Sequence, residues 1–326
     1  MLVFERILGQ PTAVQTLENA LKRGRVHHAY RFEGPTGVGK ELAAVALAQS
    51  LVCTSGGEIG CGQCSACQRA GRRSADDPQV PLHPDVVLVG RGVYPQALIG
   101  AREATGISVE QVRRIVLSRV GYTPHEGRAL VFIVQNAEEL TVSAANALLK
   151  TLEEPRPAVH FVLLTSRPNR LLDTIRSRTL PVRFGPLPEN VLANILAAHG
   201  RSAELVSLAE GSAQRALELA DDERRQDLNA FVQRIDAALV SPDLRASLEL
   251  AQSLPRDRDE LKLRLLALAE HVRRDTREAV ARDATRPAAR GAERYRVVQS
   301  ALDALERNVS PALALEGMLV ELRAAG

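Results

Sequence analysis

Three groups of residues in this 326-residue chain are spaced for chemistry. The first is Gly34-Pro35-Thr36-Gly37-Val38-Gly39-Lys40, which matches the phosphate-loop pattern G-x-x-x-x-G-K. Gly34, Gly37 and Gly39 let backbone amides turn toward phosphate oxygens, and a helix N-terminus and the Lys40 ammonium add positive charge. The pattern asks next for Ser or Thr, whose hydroxyl binds Mg²⁺. The residue is Glu41, which puts like charge beside the phosphates. The second group is the apolar run Ala129–Gln135 followed by Asn136. A Walker B strand ends in Asp-Glu, whereas here the amides Gln135 and Asn136 stand at that place. An amide is no general base at neutral pH and neutralises none of the metal's charge. Glu138 and Glu139 follow closely and are the only compensation in view. Together the two changes read as a nucleotide fold that binds ATP and Mg²⁺ poorly, if at all, and does not hydrolyse.

The third group holds all four cysteines, spaced Cys53-x7-Cys61-x2-Cys64-x2-Cys67. Four thiolates satisfy a tetrahedral Zn²⁺ and leave no open coordination position for catalysis. The tail spacing also suits an iron–sulfur centre, and paired disulfides are a third reading. Gly56, Gly57, Gly60 and Gly62 fit tight turns around the ligands.

These groups need strands and helices to hold them. Five β-type runs, Ala29–Glu33, Val86–Val89, Ala129–Gln135, His160–Thr165 and Thr179–Phe184, alternate with helical stretches, which predicts an α/β fold with a parallel five-stranded sheet. The loop at Gly34 sits between the first run and a helix over Glu41–Leu51. A long connection, Gly90–Gly106, precedes a helix N-capped by Ser108 and carrying Arg113, Arg114 and Arg119. After the breakers at Gly185-Pro186-Leu187-Pro188 the pattern is helical. Short helices are expected at Glu189–His199, Ala203–Glu210 and Ala213–Asp221. A break at Ser241-Pro242 comes before longer ones at Asp243–Ser253, Asp257–Ala284, Ala292–Asn308 and Pro311–Ala324, the last capped by Ser310. Three domains result: a core over 1–185 with the cysteine module 53–67 inserted, a helical lid over 186–240, and an all-helical collar over 241–326.

Composition excludes several classes. Aromatic residues make up 3% and tryptophan is absent, which disfavours a single-strand binder that works by base stacking. No apolar run approaches the ~20 residues of a membrane span, and Met1–Gln10 lacks a secretory pattern, so a cytoplasmic protein is expected. Residues 1–185 carry 22 basic and 16 acidic side chains, and 186–326 carry 20 and 23. Any DNA contact is therefore expected from the first half.

The surrounding residues resemble a known family. Asn146-Ala147-Leu148-Leu149-Lys150-Thr151-Leu152-Glu153-Glu154-Pro155 resembles the signature that follows Walker B in bacterial clamp-loader subunits of the AAA+ class. Ile7-Leu8-Gly9-Gln10 and His28-Ala29-Tyr30-Arg31-Phe32-Glu33-Gly34 resemble the N-terminal stretch of those subunits. Ser177-Arg178-Thr179 lies where the family has Ser-Arg-Cys. The resemblance implies a RecA-like core, lid and collar, in a pentameric ring that opens the sliding clamp and loads it on primer-template DNA. Its partners would be the gamma/tau and delta subunits. The cysteine cluster would be a structural zinc module, and Arg178 would reach the ATP of a neighbouring subunit. The broken motifs resemble the delta-prime type, whereas an ATP-hydrolysing gamma/tau type would keep Thr at 41 and Asp-Glu at 135–136. In the lid, Gln214 holds the place of an arginine that touches the subunit's own nucleotide, with Arg215 one step later, about 100° around the helix. Ser166 stands near a sensor position. Two alternatives are an active gamma/tau-type ATPase using Glu138 or Glu139, and a zinc-dependent DNA-binding protein with a vestigial core.

Overall fold

The computed structural model describes residues 2–100, 106–126, 128–204, 206–240, 257–307 and 309–324. They form two compact units, Met1–Val191 and Leu192–Gly326.

The first unit is built on five parallel strands: β1 Ala29–Glu33, β2 Val86–Val89, β3 Leu130–Val134, β4 Val159–Thr165 and β5 Leu180–Arg183. Their order across the sheet is β2-β3-β4-β1-β5. All five predicted runs are strands, trimmed or extended by a residue at some ends. The inner strands are nearly continuous apolar runs, because parallel strands with helices on both faces have no wet side. Phe132 and Phe161, partners in the β3–β4 register, stack with ring centroids 5.0 Å apart. Only Val182 is buried on the edge strand β5.

The helix after the glycine loop runs Lys40–Val52, as expected at both ends to within a residue. Ser108 caps the next predicted helix by accepting from the Gln111 amide at 3.2 Å. That helix runs through a π-helical stretch, Val112–Leu117. The described part of the Gly90–Gly106 connection contains a one-turn helix, Gln96–Ile99. Glu138 and Glu139 lie in the 3-10 turn Ala137–Glu139.

The second unit is helical. The expected segment at Ala203–Glu210 is only the 3-10 turn Val206–Ala209, and Asp243–Ser253 lies outside the described residues. A 19-residue helix, Asp222–Val240, was not foreseen. Its start is rich in charge, which masks the apolar stripe Leu228, Phe231, Val232, Ile235. Phe231, Val232 and Ile235 of that stripe share one core with Leu265, Leu268, Val298, Leu302, Leu315 and Leu319 from the helices Arg258–Ala281, Thr285–Glu306 and Pro311–Ala324. The middle one starts seven residues before the predicted Ala292. Its Pro287 stands in the first turn, where no intrahelical donor is lost. The Ser310 cap is present, accepting from the Leu313 amide at 3.3 Å.

Candidate functional site

The glycine loop leaves the C-terminal end of β1. Gly34, Gly37 and Gly39 all have positive φ, at 149°, 74° and 98°. At Gly34 a Cβ would overlap the carbonyl oxygen of Phe184, so both conformation and space demand glycine. Lys40 Nζ donates back to the loop carbonyls of Gly34, at 2.6 Å, and Pro35. Burial brings its ammonium down to about 8, with Glu138 pulling the other way.

Glu41 and Gln135 meet. Gln135 Nε2 donates to Glu41 Oε2 at 2.9 Å, and the Arg73 guanidinium pairs with Glu41 Oε1. Two residues that are each unusual for a nucleotide site thus satisfy one another. A carboxylate, an amide and a guanidinium occupy the ground between loop and strand end. Arg73 follows the helix Ser65–Gly71 of the cysteine module and was not singled out in the sequence. Asn136 takes a left-handed conformation, φ 43°, that turns the chain out of β3.

Glu138 is already engaged. Ser166 donates to its Oε1 through both Oγ, at 2.9 Å, and its backbone N–H, at 3.1 Å. Burial opposes ionisation of Glu138, and hydrogen bonds from its own backbone, from Thr165 and from Ser166 outweigh it and hold the carboxyl below its ordinary value. Its Oε2 is buried without a partner. In the second unit, Gln214 donates to Glu218 at 3.0 Å and Arg215 to Glu210 at 2.6 Å. Arg114 donates to the Leu98 carbonyl at 3.2 Å, closing the one-turn helix, while Arg113 and Arg119 are exposed.

The four cysteine sulfurs lie within 4.8 Å of one another. A tetrahedral ion with metal–sulfur bonds of about 2.3 Å needs edges of about 3.8 Å. The Cys53–Cys64 separation is 3.9 Å. A disulfide would require about 2.05 Å, and a cluster of several irons would hold its cysteines wider apart. The donor set therefore fits one ion. The amides of Gln63 and Cys64 point at Cys61 Sγ at 3.4 and 3.3 Å, and the Cys67 amide at Cys64 Sγ at 3.4 Å, as suits thiolates. The Ser55 hydroxyl and these amides lower the Cys61 thiol. At Cys64 burial opposes ionisation, but amide hydrogen bonds prevail and bring it down to about 5. The module packs on the Lys40–Val52 helix: Gln49 Nε2 donates to Cys67 O at 2.7 Å, and Gly60 N to Ser50 Oγ at 3.0 Å.

Arg178 lies elsewhere. It precedes β5, and β5 runs parallel to β1 with Leu180 opposite Tyr30. Arg178 is therefore at the N-terminal edge of the sheet, whereas the glycine loop leaves the C-terminal edge, about 15 Å away along the strands. It cannot serve its own loop. Its guanidinium pairs with Glu153 at 2.5 Å and donates to Thr174 O at 2.9 Å and Ser177 Oγ at 3.1 Å. Glu153 closes the helix Val142–Glu153, inside the motif that carries the family resemblance.

The model of the family described as "DNA polymerase III, delta subunit" matches residues 9–188. The chain belongs to this family. It is 31% identical over 219 residues to DNA polymerase III subunit delta' of Bacillus subtilis, covering 67% of this chain and 60% of that protein. It is 34% identical over 263 residues to DNA polymerase III subunit tau of Escherichia coli, covering 77% of this chain and 38% of that one. The chain thus spans less than two thirds of these relatives. Among solved structures, a gamma-subunit-related protein of Thermotoga maritima aligns over 95% of this chain and 98% of its own, with 18% identity and a TM-score of 0.45. The region that the family model matches holds the parallel five-stranded sheet expected from the sequence. Among the described residues no helix is long and apolar enough to cross a membrane.

Proposed function

We propose that this chain is a non-hydrolysing, delta-prime-type subunit of the DNA polymerase III clamp loader. It sits in a hetero-pentameric ring with gamma/tau and delta subunits, acts in the cytoplasm, and helps place the sliding clamp on primer-template DNA. Nucleotide polymerisation belongs to the holoenzyme it serves. The observation that carries the reading is the Glu41–Gln135 hydrogen bond closed by Arg73. Where an ATPase keeps a metal hydroxyl and a metal carboxylate, this chain bonds a carboxylate to an amide. Mg²⁺ loses both protein ligands, and neither Gln135 nor Asn136 can act as a base to activate water. Arg178, on the sheet edge remote from its own loop, supplies positive charge to the ATP of a neighbouring subunit, where a trans arginine is worth ~10³–10⁵ in rate. Cys53, Cys61, Cys64 and Cys67 hold a structural Zn²⁺ that ties the module to the core. The core spans 1–185, the lid 186–240 and the collar 241–326.

The test is reconstitution with the partner subunits. Arg178→Ala lowers DNA-stimulated ATP hydrolysis by the assembly, and the isolated chain shows no turnover. Unchanged hydrolysis with Arg178→Ala refutes the trans role. A second reading, an active gamma/tau-type ATPase, has one observation in its favour: Glu138 is ionised and acts electrostatically on Lys40. Magnesium-dependent turnover by the isolated chain, abolished by Lys40→Ala, would establish it.

A further inference from the structure

Arg31 is a buried cation with no part in the chemistry described so far. It lies in the middle of β1, is 6% exposed, and is one of the few charged residues in the core. Burying a guanidinium costs several kcal/mol unless its charge is paired and its donors are used. Here they are used. Nε donates to Glu33 Oε1 at 2.6 Å. Nη1 donates to the Arg176 carbonyl at 2.8 Å and to Thr179 Oγ1 at 2.7 Å. The two oxygens gripped by Nη1 belong to residues that flank Arg178, one two positions before it and one directly after.

Thr179 completes the clamp. It is 5% exposed, and its hydroxyl also donates to the Ile175 carbonyl at 2.8 Å. The hydroxyl therefore ties Arg31 to the last turn of the short helix Asp173–Arg176. The expected cysteine at this place has a weakly accepting thiol, which is a poor partner for a guanidinium. Thr179 is thus not a neutral replacement. The β1–β5 ladder, with Arg31 opposite Pro181, holds the chain beyond the clamp.

We infer that Arg31, with Glu33 and Thr179, is a positioning device that fixes the backbone on both sides of Arg178 so that its guanidinium is presented at a set height above the sheet edge. The inference rests on the trans role proposed for Arg178. A group that acts on a developing charge must be placed closely, since a 1 Å error can cost ~100-fold. The pairing of the half-buried Arg178 guanidinium with Glu153 holds the side chain, but the short turn that carries it needs an anchor of its own to fix the backbone. The planar guanidinium of Arg31 spreads its donors over two nitrogens, Nε on Glu33 and Nη1 on Arg176 and Thr179, in one fixed plane, which the point charge of a flexible lysine does not reproduce.

The experiment compares Thr179→Val, Thr179→Ser, Arg31→Lys and Arg178→Ala in the loader reconstituted with its partner subunits. It measures kcat and KM for DNA-stimulated ATP hydrolysis, with the melting temperature of each free chain as a check on folding. Thr179→Val and Arg31→Lys each lower kcat about tenfold with KM unchanged. Thr179→Ser, which keeps the hydroxyl, retains the wild-type rate. The double variant Arg178→Ala, Thr179→Val is no slower than Arg178→Ala alone, because the clamp acts only through Arg178. Four outcomes overturn the inference: wild-type kcat for both clamp variants while Arg178→Ala is slow; a shift in melting temperature alone; loss of kcat in Thr179→Ser; or losses that multiply in the double variant. Full activity of Arg178→Ala would instead refute the trans role, and the positioning device would fall with it.

Discussion

The closed phosphate loop makes a quantitative prediction for Glu41→Thr. In the wild-type chain Glu41 follows Lys40 at the end of the phosphate loop and holds both Arg73 and the Gln135 amide. A unit negative charge ~4 Å from a phosphate costs ~4 kcal/mol at the effective dielectric of about 20 that suits such sites. The paired Arg73 offsets part of that cost. Glu41→Thr removes the repulsion and frees Arg73 to face the ligand. A gain of about 1.4–2.8 kcal/mol remains, a ten- to hundredfold tightening of Kd. Titration of a fluorescent ATP analogue against the free chain, with and without Mg²⁺, reads this directly. Glu41→Gln separates the two contributions: it removes the charge but offers no hydroxyl, so it tightens binding without Mg²⁺ and gains little from added metal. Hydrolysis stays absent in both variants, since Gln135 and Asn136 still provide no metal carboxylate. Affinity of Glu41→Thr equal to that of the wild type would refute the electrostatic reasoning. So would tight magnesium-dependent binding by the wild-type chain.

Two further outcomes follow from the geometry. The purified chain carries one equivalent of zinc, and Cys64→Ala or prolonged chelation removes it and lowers the melting temperature, because a structural zinc site contributes ~10–16 kcal/mol of apparent binding energy to the ordered module; a metal-free chain with an unchanged melting curve would sink the assignment. His28, His83 and His160 are all lowered, each first by burial, with His27 also lowering His28 and both His27 and His28 lowering His160. The unfolded chain therefore binds more protons than the folded one in mild acid, so the histidine contribution is full above about pH 6.5 and is lost as pH falls below it, with a slope of at most about 1.4 kcal/mol per pH unit per histidine. Denaturant unfolding from pH 5 to 7.5 should show this loss, and His160→Gln should flatten it; an identical slope in the variant would contradict the assignment.

Much of the core was legible in the chain itself. Val86–Val89 and Leu130–Val134 are unbroken apolar runs, because strands covered on both faces need no polar alternation. The glycine loop was legible because positive φ and close backbone approach admit little else. The cysteine set was legible because four scarce residues fall within fifteen positions. The Asp222–Val240 helix was not, since its charged opening hides a stripe that gains meaning only against the three helices it packs on.

The sequence by itself determined the residue types: a loop that can cradle phosphate, the loss of the metal ligands, four thiolates, and an arginine in a telling motif. It showed Glu41 and Gln135 as two separate defects, 94 positions apart. Only the tertiary structure decided that they are bonded to each other and to Arg73. Likewise Arg31 and Thr179 are 148 positions apart, and nothing local marks either as the other's partner. Spacing along the chain reports the periodicity of strands and helices, which is set by neighbours a few residues away. The pairing of buried charges is set by sheet order and register, which bring together residues with no local relation.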